Sequence, residues 1–248
     1  MELPFWISAF LDLPAGTHEP AVRFWESTTG CHRSVPRGDH REFLSLLPPD
    51  GDDFVRVQRL DDGGPRVHLD LHVIDPRRSA DRAIGLGATE VADRGHVVLT
   101  SPGGLPFCFV SHPASTRPAP TIWDDGSTSL LDQVCLDIPS SQYDEECGFW
   151  SALTTWEHQP SPISEEFGFL ERPPEVPIRL LTQRLGEASG SVRTHLDFAA
   201  EDRPAEVRRH AILGAQLIAE HREWTVLRDP AGSDYCITDR DPKSGVIG

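Results

Sequence analysis

"RVHLDLHVIDP", which begins at Arg66, and "RTHLDFAAEDR", which begins at Arg193, repeat nearly the same strand within one chain. His68 corresponds to His195, an offset of 195 − 68 = 127 residues. The same offset aligns further identical residues: Asp70 with Asp197, Asp75 with Asp202, Arg82 with Arg209, and Leu-Gly-Ala at 86–88 with 213–215. Ordered matches of this kind indicate that the strand belongs to a larger internal repeat.

The repeat extends over nearly the whole chain with small drifts in spacing. Downstream, at an offset of 128, "LTSPGGLPFCF" from Leu99 lies over "LRDPAGSDYCI" from Leu227. Upstream, at an offset of 125, Phe24-Trp25 meets Phe149-Trp150. The period is far longer than a solenoid repeat, so each half is expected to form a domain with its own core. We expect one domain at 1–115, a linker rich in Pro, Ser and Thr at 116–128, and a second domain at 129–248.

Each half has the pattern β-α-β-β-β twice, so the chain carries four such units of mixed α and β structure. The helix after "VHLDLHV" has Asp75 as its N-cap, Pro76 at its first position and Gly87 just past its end. Asp202, Pro204 and Gly214 form the same set of helix-boundary residues in the second half. We expect the Phe-Trp pairs to pack helix against sheet, and the Glu-Glu pairs at 145–146 and 165–166 to lie on solvated faces.

The stretches "HLDLHVIDP…LGA…VVLTSPGGLPFCFV" and "HLDFAAEDRP…LGA…WTVLRDPAGSDYCIT" resemble the vicinal oxygen chelate superfamily, the glyoxalase-like and bleomycin-resistance-like proteins. The resemblance covers both halves. It implies an α+β fold in which four βαβββ modules form two curved, mostly antiparallel sheets, each cupping a pocket. Members of this superfamily divide into those that hold a divalent metal ion and those that bind drugs without one.

The resemblance implies a metal-ligand set that this chain only partly keeps. The family's histidine on the second module falls on His68 and on His195, whereas its first-strand histidine falls near Ser8 and on Gln133. The glutamate on the last strand falls on Cys108 and Cys236. Each half therefore keeps one usual ligand of three, while a catalytic zinc site normally needs three protein ligands.

Strand alternation places the polar residues of each half on one face, which we assign to the pocket. The candidate ligand-binding residues are Ser8, His68, Asp70, His72, Cys108, Gln133, His195, Asp197 and Cys236. We expect no metal; the alternative is an altered site at His68 and Cys108 or at His195 and Cys236, with Asp70 or Asp197 swinging in. The halves differ, because Ala199 replaces His72 and Asp234 replaces Pro106.

Three functions remain open from the sequence, and no catalytic residue is assigned. The first is metal-independent binding or sequestration of an aromatic or cationic compound, with no cofactor. The second is a metal-dependent lyase, isomerase or dioxygenase with a reduced ligand set. The third is a non-catalytic structural or regulatory protein with collapsed pockets.

Composition excludes several partners. The net charge of −16 opposes binding to nucleic acid or to anionic membranes. No run of residues has the length of a membrane span, and the start of the chain lacks the basic residues of a signal peptide. The five cysteines form no CxxC pair, so we expect reduced thiols and a cytoplasmic location. A small molecule is the expected partner of a monomer or homodimer.

Overall fold

A computed structural model describes residues 3–247. The elements of the first half are β1 (Trp6–Pro14), α1 (His18–Thr29), β2 (His32–Arg33), β3 (Phe43–Leu47), β4 (Val55–Leu60), β5 (Arg66–His72), α2 (Pro76–Gly85), β6 (Thr89–Asp93), β7 (Val97–Thr100) and β8 (Pro106–Val110). Those of the second half are β9 (Thr121–Ile122), β10 (Thr128–Pro139), α3 (Tyr143–Thr154), β11 (His158–Pro160), β12 (Phe167–Leu170), β13 (Arg179–Leu185), β14 (Arg193–Ala200), α4 (Arg203–Ile212), β15 (Gln216–Glu220), β16 (Trp224–Arg228) and β17 (Asp234–Thr238).

The strands form two mixed sheets with the same order in both halves. One sheet has eight strands in the order β2-β3-β4-β1-β5-β8-β7-β6. The other has the order β11-β12-β13-β10-β14-β17-β16-β15, with β9 paired to β10 outside this path. The pairs β5/β8 and β14/β17 are parallel, whereas the hairpins within each module are antiparallel. The α+β class and the four βαβββ modules are therefore confirmed.

The boundaries of α2 and α4 agree with the capping residues that the sequence predicts. Asp75 accepts a hydrogen bond of 3.0 Å from the backbone amide of Arg78, and Asp202 accepts one of 2.9 Å from that of Ala205. A glycine with positive φ follows each of these helices: Gly87 has φ of 110° and Gly214 has φ of 113°. Such a backbone conformation suits glycine because it has no Cβ to clash.

The chain folds into two compact units, each built from segments of both halves. Unit 1 contains the segment ending at Ala9, together with His68–Ser115 and Val134–Thr194. Unit 2 contains Phe10–Val67, Thr116–Gln133 and the segment that begins at His195. The division at 1–115, 116–128 and 129–248 follows the sequence repeat and stays a prediction.

Aromatic packing forms the core of unit 2. The ring of Trp25 on α1 stacks on Phe198 of β14, with centroids 6.2 Å apart and an interplanar angle of 7°. Tyr235 on β17 meets the Trp25 ring edge-on at 5.3 Å. Phe24 and Trp25 are almost fully buried. This burial confirms the expectation that the first Phe-Trp pair packs helix against sheet.

Unit 1 has a corresponding aromatic core around the second Phe-Trp pair. The ring of Phe107 on β8 lies 5.3 Å from that of Trp150 and 5.9 Å from that of Phe149, both on α3. The Glu-Glu expectation is wrong at one position: Glu145 is exposed, but the neighbouring Glu146 is fully buried. Glu146 lies on the same side of α3 as Trp150, one helical turn away, and that side faces the core.

None of the described helices has both the length and the apolar character needed to cross a lipid bilayer.

Candidate functional site

The polar residues predicted to share a face come together in each half through the parallel strand pairs. In unit 1, Asp70 of β5 is in register with Cys108 of β8. In unit 2, Asp197 of β14 is in register with Cys236 of β17. Because residues i and i+2 of a strand share a face, the preceding histidine joins each pair. The repeat has therefore built the same His-Asp-Cys arrangement twice.

The first cluster consists of His68, Asp70 and Cys108. Their ligand atoms (imidazole nitrogen, carboxylate oxygen and sulfur) all lie within 4.8 Å of one another. His68 Nε2 lies 3.8 Å from Asp70 Oδ1. The imidazole is the more exposed of these two side chains, at 12% against 7% for the carboxylate. Solvent thus reaches this cluster mainly at the imidazole.

The second cluster consists of His195, Asp197 and Cys236, and its ligand atoms also lie within 4.8 Å of one another. His195 Nε2 is 3.3 Å from Asp197 Oδ1, closer than in the first cluster. The exposed fractions of these side chains are 18% for His195 and 3% for Asp197. Both clusters therefore combine a partly exposed imidazole with a buried carboxylate and a buried thiol.

The two oxygens of Asp197 have different surroundings. Oδ2 accepts a hydrogen bond from the side-chain amide of Gln133 on β10. Oδ1 is buried and has no hydrogen-bond partner within residues 3–247. A buried carboxylate oxygen without a hydrogen bond is costly, because the group has left water without full compensation. This oxygen is suited to accept a cation.

Ser8 and His72 form a separate arrangement in unit 1. The Ser8 hydroxyl lies 2.9 Å from His72 Nε2, and His72 Nδ1 lies 2.8 Å from the backbone carbonyl of His112. A carbonyl oxygen only accepts, so Nδ1 carries the proton and, in the neutral ring, Nε2 accepts from Ser8. His72 is fully buried, and both of its ring nitrogens are engaged. Both nitrogens of this ring are therefore bonded within unit 1.

The chemistry of the donor sets fits a divalent transition-metal ion. Imidazole, thiolate and carboxylate are all zinc ligands, and three protein ligands with an open position are the pattern of a catalytic zinc site. A thiolate together with an imidazole favours zinc or iron over magnesium or calcium. Each set reaches three donors only because an aspartate two residues after the histidine joins the histidine and the cysteine.

Gln133 and Ser8 take the place of the family's first-strand histidine. The structure shows Gln133 bonded to Asp197 and Ser8 bonded to His72. Whether any of the nine candidate residues binds a ligand stays a prediction.

Sequence reasoning missed a network of buried polar groups in unit 2. His210 of α4 is fully buried, with Nδ1 2.9 Å from the Tyr235 hydroxyl and Nε2 3.1 Å from Glu206 Oε1. Burial lowers the pKa of His210 below its ordinary value and raises that of Tyr235. Ser129 also donates to Glu206 Oε1, at 2.8 Å. The i, i+4 spacing of Glu206 and His210 was the only signal in the sequence.

The comparisons with known proteins agree with this architecture. A family model for the glyoxalase-like domain matches twice, over residues 8–110 and 133–238. A search of curated proteins gives no match.

Several solved structures share the fold at low sequence identity. A mutant of 4-hydroxymandelate synthase from Streptomyces coelicolor is 16% identical with a TM-score of 0.59, covering 99% of this chain and 94% of its own. The 2,3-dioxygenase LapB from Pseudomonas sp. KL28 is 13% identical with a TM-score of 0.62, covering 93% and 90%. The 2,2',3-trihydroxybiphenyl 1,2-dioxygenase from the dibenzofuran-degrading Sphingomonas wittichii strain RW1 is 14% identical with a TM-score of 0.58, covering 100% and 95%.

These likenesses concern the fold, whereas the family model covers most of the chain in two copies. The ordered repeat, the four βαβββ modules and the two model matches lead to one conclusion: the chain belongs to the glyoxalase-like domain family, and it carries that domain twice.

Proposed function

We propose that the protein binds an oxygen-bearing small molecule beside a divalent metal ion held by an altered ligand set, His195, Asp197 and Cys236. The repeat of this set, His68, Asp70 and Cys108, is a second site of the same type. This is the alternative that the sequence left open, and it departs from the expectation of a metal-free pocket.

The observation that carries the proposal is the state of Asp197. Its Oδ1 is buried without a hydrogen-bond partner in the described chain, and it lies 3.3 Å from an imidazole nitrogen. A packed interior normally satisfies such an oxygen. The nearby Cys236 sulfur supplies the third donor, and imidazole, carboxylate and thiol together form a donor set that suits a transition-metal cation.

Each residue has a distinct part in this proposal. Asp197 and the Cys236 thiolate supply negative charge in a buried setting, where electrostatic attraction to a cation is stronger than in water. His195 supplies a neutral nitrogen donor at the edge that solvent reaches, so we place the bound molecule on that side. A metal ion held by three protein ligands keeps a coordination position open and can act as a Lewis acid toward an oxygen of the bound molecule.

The fold neighbours suggest the ligand class. Their names include enzymes of hydroxylated aromatic compounds, such as a catechol 2,3-dioxygenase and a trihydroxybiphenyl dioxygenase. At 11–16% identity these neighbours support only a general ligand class, a small aromatic molecule with oxygen substituents. Lyase, isomerase and dioxygenase chemistry are all compatible with that ligand class.

A second candidate is binding or sequestration of an aromatic or cationic compound without metal. It is favoured by the way some site residues satisfy one another: Gln133 bonds Asp197, and Ser8 bonds His72. Under this candidate the clusters are hydrogen-bonded pocket walls, and the net charge of −16 attracts a cationic ligand.

Metal analysis of untagged protein separates the two candidates. The protein is dialysed against zinc, freed of excess metal on a desalting column, and assayed by elemental mass spectrometry. We expect one to two zinc ions per chain in the wild type, and less than about a tenth of that in a His68→Ala/His195→Ala double variant. His32→Ala, a change at an exposed histidine outside both clusters, is the control and should keep the wild-type value. Wild-type protein that retains no metal would favour the metal-free binder.

A further inference from the structure

The two halves differ at the residues beside their His-Asp-Cys clusters. Ser8 and Gln133 occupy equivalent positions at the offset of 125, and His72 and Ala199 are equivalent at the offset of 127. In unit 1 the short Ser8 side chain bonds the His72 ring. In unit 2 the methyl side chain of Ala199 takes the place of that ring, and the longer Gln133 side chain bonds Asp197.

The Gln133 amide must present its nitrogen to Asp197. An ionised carboxylate only accepts hydrogen bonds, so the NH2 group of the amide faces Oδ2. This hydrogen bond from the amide nitrogen joins Gln133 to the cluster through the Asp197 carboxylate. Both side chains are almost fully buried, which holds this geometry in place.

The hydrogen bond from Gln133 to Asp197 Oδ2 also fixes the position of Asp197 Oδ1. With Oδ2 bonded to Gln133, Oδ1 remains on the side of His195 Nε2. Hydrogen bonds from outside the ligand set orient metal ligands, and their loss typically costs 10–100-fold in metal affinity. An oriented carboxylate also loses less conformational freedom when the ion binds.

We propose that Gln133 is a positioning residue that presents Asp197 Oδ1 to a divalent ion and makes the His195-Asp197-Cys236 site the tighter of the two. This inference rests on the proposed function. In the first half the equivalent residue, Ser8, directs its hydroxyl to the His72 ring. The shorter His-Asp distance in the second site, 3.3 Å against 3.8 Å, agrees with that order.

Cobalt(II) titration of full-length, untagged, metal-free protein tests the proposal. Cobalt bound to a thiolate gives a charge-transfer absorption in the near ultraviolet, which reports binding without any enzymatic assay. Of the two His-Asp-Cys clusters, Cys108→Ser leaves a thiol only in the second, and Cys236→Ser leaves one only in the first. Gln133→Met is then added to Cys108→Ser, because methionine has a similar volume but no amide donor. Ser8→Ala added to Cys236→Ser is the matched control.

We expect the Cys108→Ser protein to bind cobalt about tenfold or more tightly than the Cys236→Ser protein. Gln133→Met should raise the cobalt Kd of the second site by about 10–100-fold. Ser8→Ala should change the Kd of the first site by less than about twofold. The unfolding midpoint of each variant without metal shows whether the substitution only loosens the fold, and Gln133→Leu replaces Gln133→Met if that variant does not fold.

A Gln133→Met protein with an unchanged Kd, or a first site that binds cobalt more tightly than the second, would overturn the proposal. The experiment distinguishes failure of the metal site from failure of the proposed role of Gln133. If wild-type protein gives no thiolate charge-transfer band, the proposed metal site itself is wrong. If the band is present but does not respond to Gln133, only the role of this residue is wrong.

Discussion

The indole Nε1 of Trp25 donates a hydrogen bond of 3.0 Å to Asp229 Oδ2, a residue 204 positions later in the chain. In the second half the equivalent indole, that of Trp150, donates at 2.8 Å to Glu146 on its own helix. Glu146 also accepts a hydrogen bond of 2.8 Å from the backbone amide of Gly103, in the turn before β8. Each indole thus meets a buried carboxylate, but the carboxylate comes from a turn in one unit and from a helix in the other.

Glu146 should make stability fall as the pH rises. Burial raises the pKa of Glu146 above 4.5, against the opposing hydrogen bonds from Ser101, Trp150 and Gly103. The raised pKa means that its contribution is fully present below pH 4.5 and is lost as the pH rises through the folded-state pKa. Glu146→Gln removes this loss, so the free energy of unfolding of the variant relative to the wild type should increase above pH 4.5, by at most about 1.4 kcal/mol per pH unit.

Urea unfolding of both proteins between pH 4.5 and 8 measures this difference. Glu145→Gln, which changes the exposed neighbour, is the control and should follow the wild-type pH dependence closely. A Glu146→Gln curve parallel to the wild-type curve would show that Glu146 ionises in the folded protein as it does in water.

His210 should make stability fall as the pH drops. Burial lowers the pKa of this imidazole below 6.5, so its contribution is present above pH 6.5 and is lost as the pH falls below that value. His210→Gln should reduce the slope of the free energy of unfolding below pH 6.5 by up to about 1.4 kcal/mol per pH unit. At pH 7.5 it should cost about 1–3 kcal/mol, because Tyr235 and Glu206 lose a partner.

Thermal and urea unfolding between pH 5 and 7.5 test this second prediction. Burial also lowers the pKa of His18 and His158, so some acid sensitivity should remain in the variant. His158→Gln serves as a comparison from unit 1. An acid-side slope that His210→Gln leaves intact would assign the effect to the other histidines.

Ser8→Ala should lower stability without changing the His-Asp-Cys clusters. The change removes the hydroxyl that lies 2.9 Å from His72 Nε2, in a place where both residues are fully buried. We expect a loss of about 1–3 kcal/mol in the free energy of unfolding, measured in urea. Zinc retention should equal that of the wild type. A lower zinc content in the folded variant would mean that Ser8 belongs to the first site after all.

The sequence predicts the fold well because each helix or strand pattern occurs twice, so one half can be checked against the other. The Asp75 and Asp202 caps, the glycines after α2 and α4, and both Phe-Trp pairs lie where the pattern places them. Short-range rules suffice for these features. The short strands β2 and β11 were not located individually, since two or three residues carry no readable alternation.

The grouping of modules into units depends on long-range packing, which the sequence does not encode in any local signal. The aromatic pair of each half packs in a unit that also contains a module of the other half. The burial of Glu146 was unpredictable for the same reason. A Glu-Glu pair on a helix is expected to face solvent unless the residues that pack against it are known. A comparison of Glu146 with Ala21, its equivalent in the first half, was the one clue.

The candidate site was predictable in its members but not in its geometry. Alternation placed His195 and Asp197 on one face, and the repeat pointed to Cys236. The parallel register that brings Cys236 beside Asp197 came only from the structure. The link from Gln133 to Asp197 was also unpredictable, because the sequence does not show which neighbouring group an amide at that position bonds.

Anomalous diffraction at the zinc edge tests the central claim most directly. Crystals of untagged protein grown with zinc should show a strong peak within bonding distance of His195 Nε2, Asp197 Oδ1 and the Cys236 sulfur, at roughly 2.0–2.3 Å from each. A weaker peak is expected at the His68-Asp70-Cys108 cluster. Crystals with no zinc at either cluster, or with the ion bound elsewhere, would contradict the claim that these residues form a metal site.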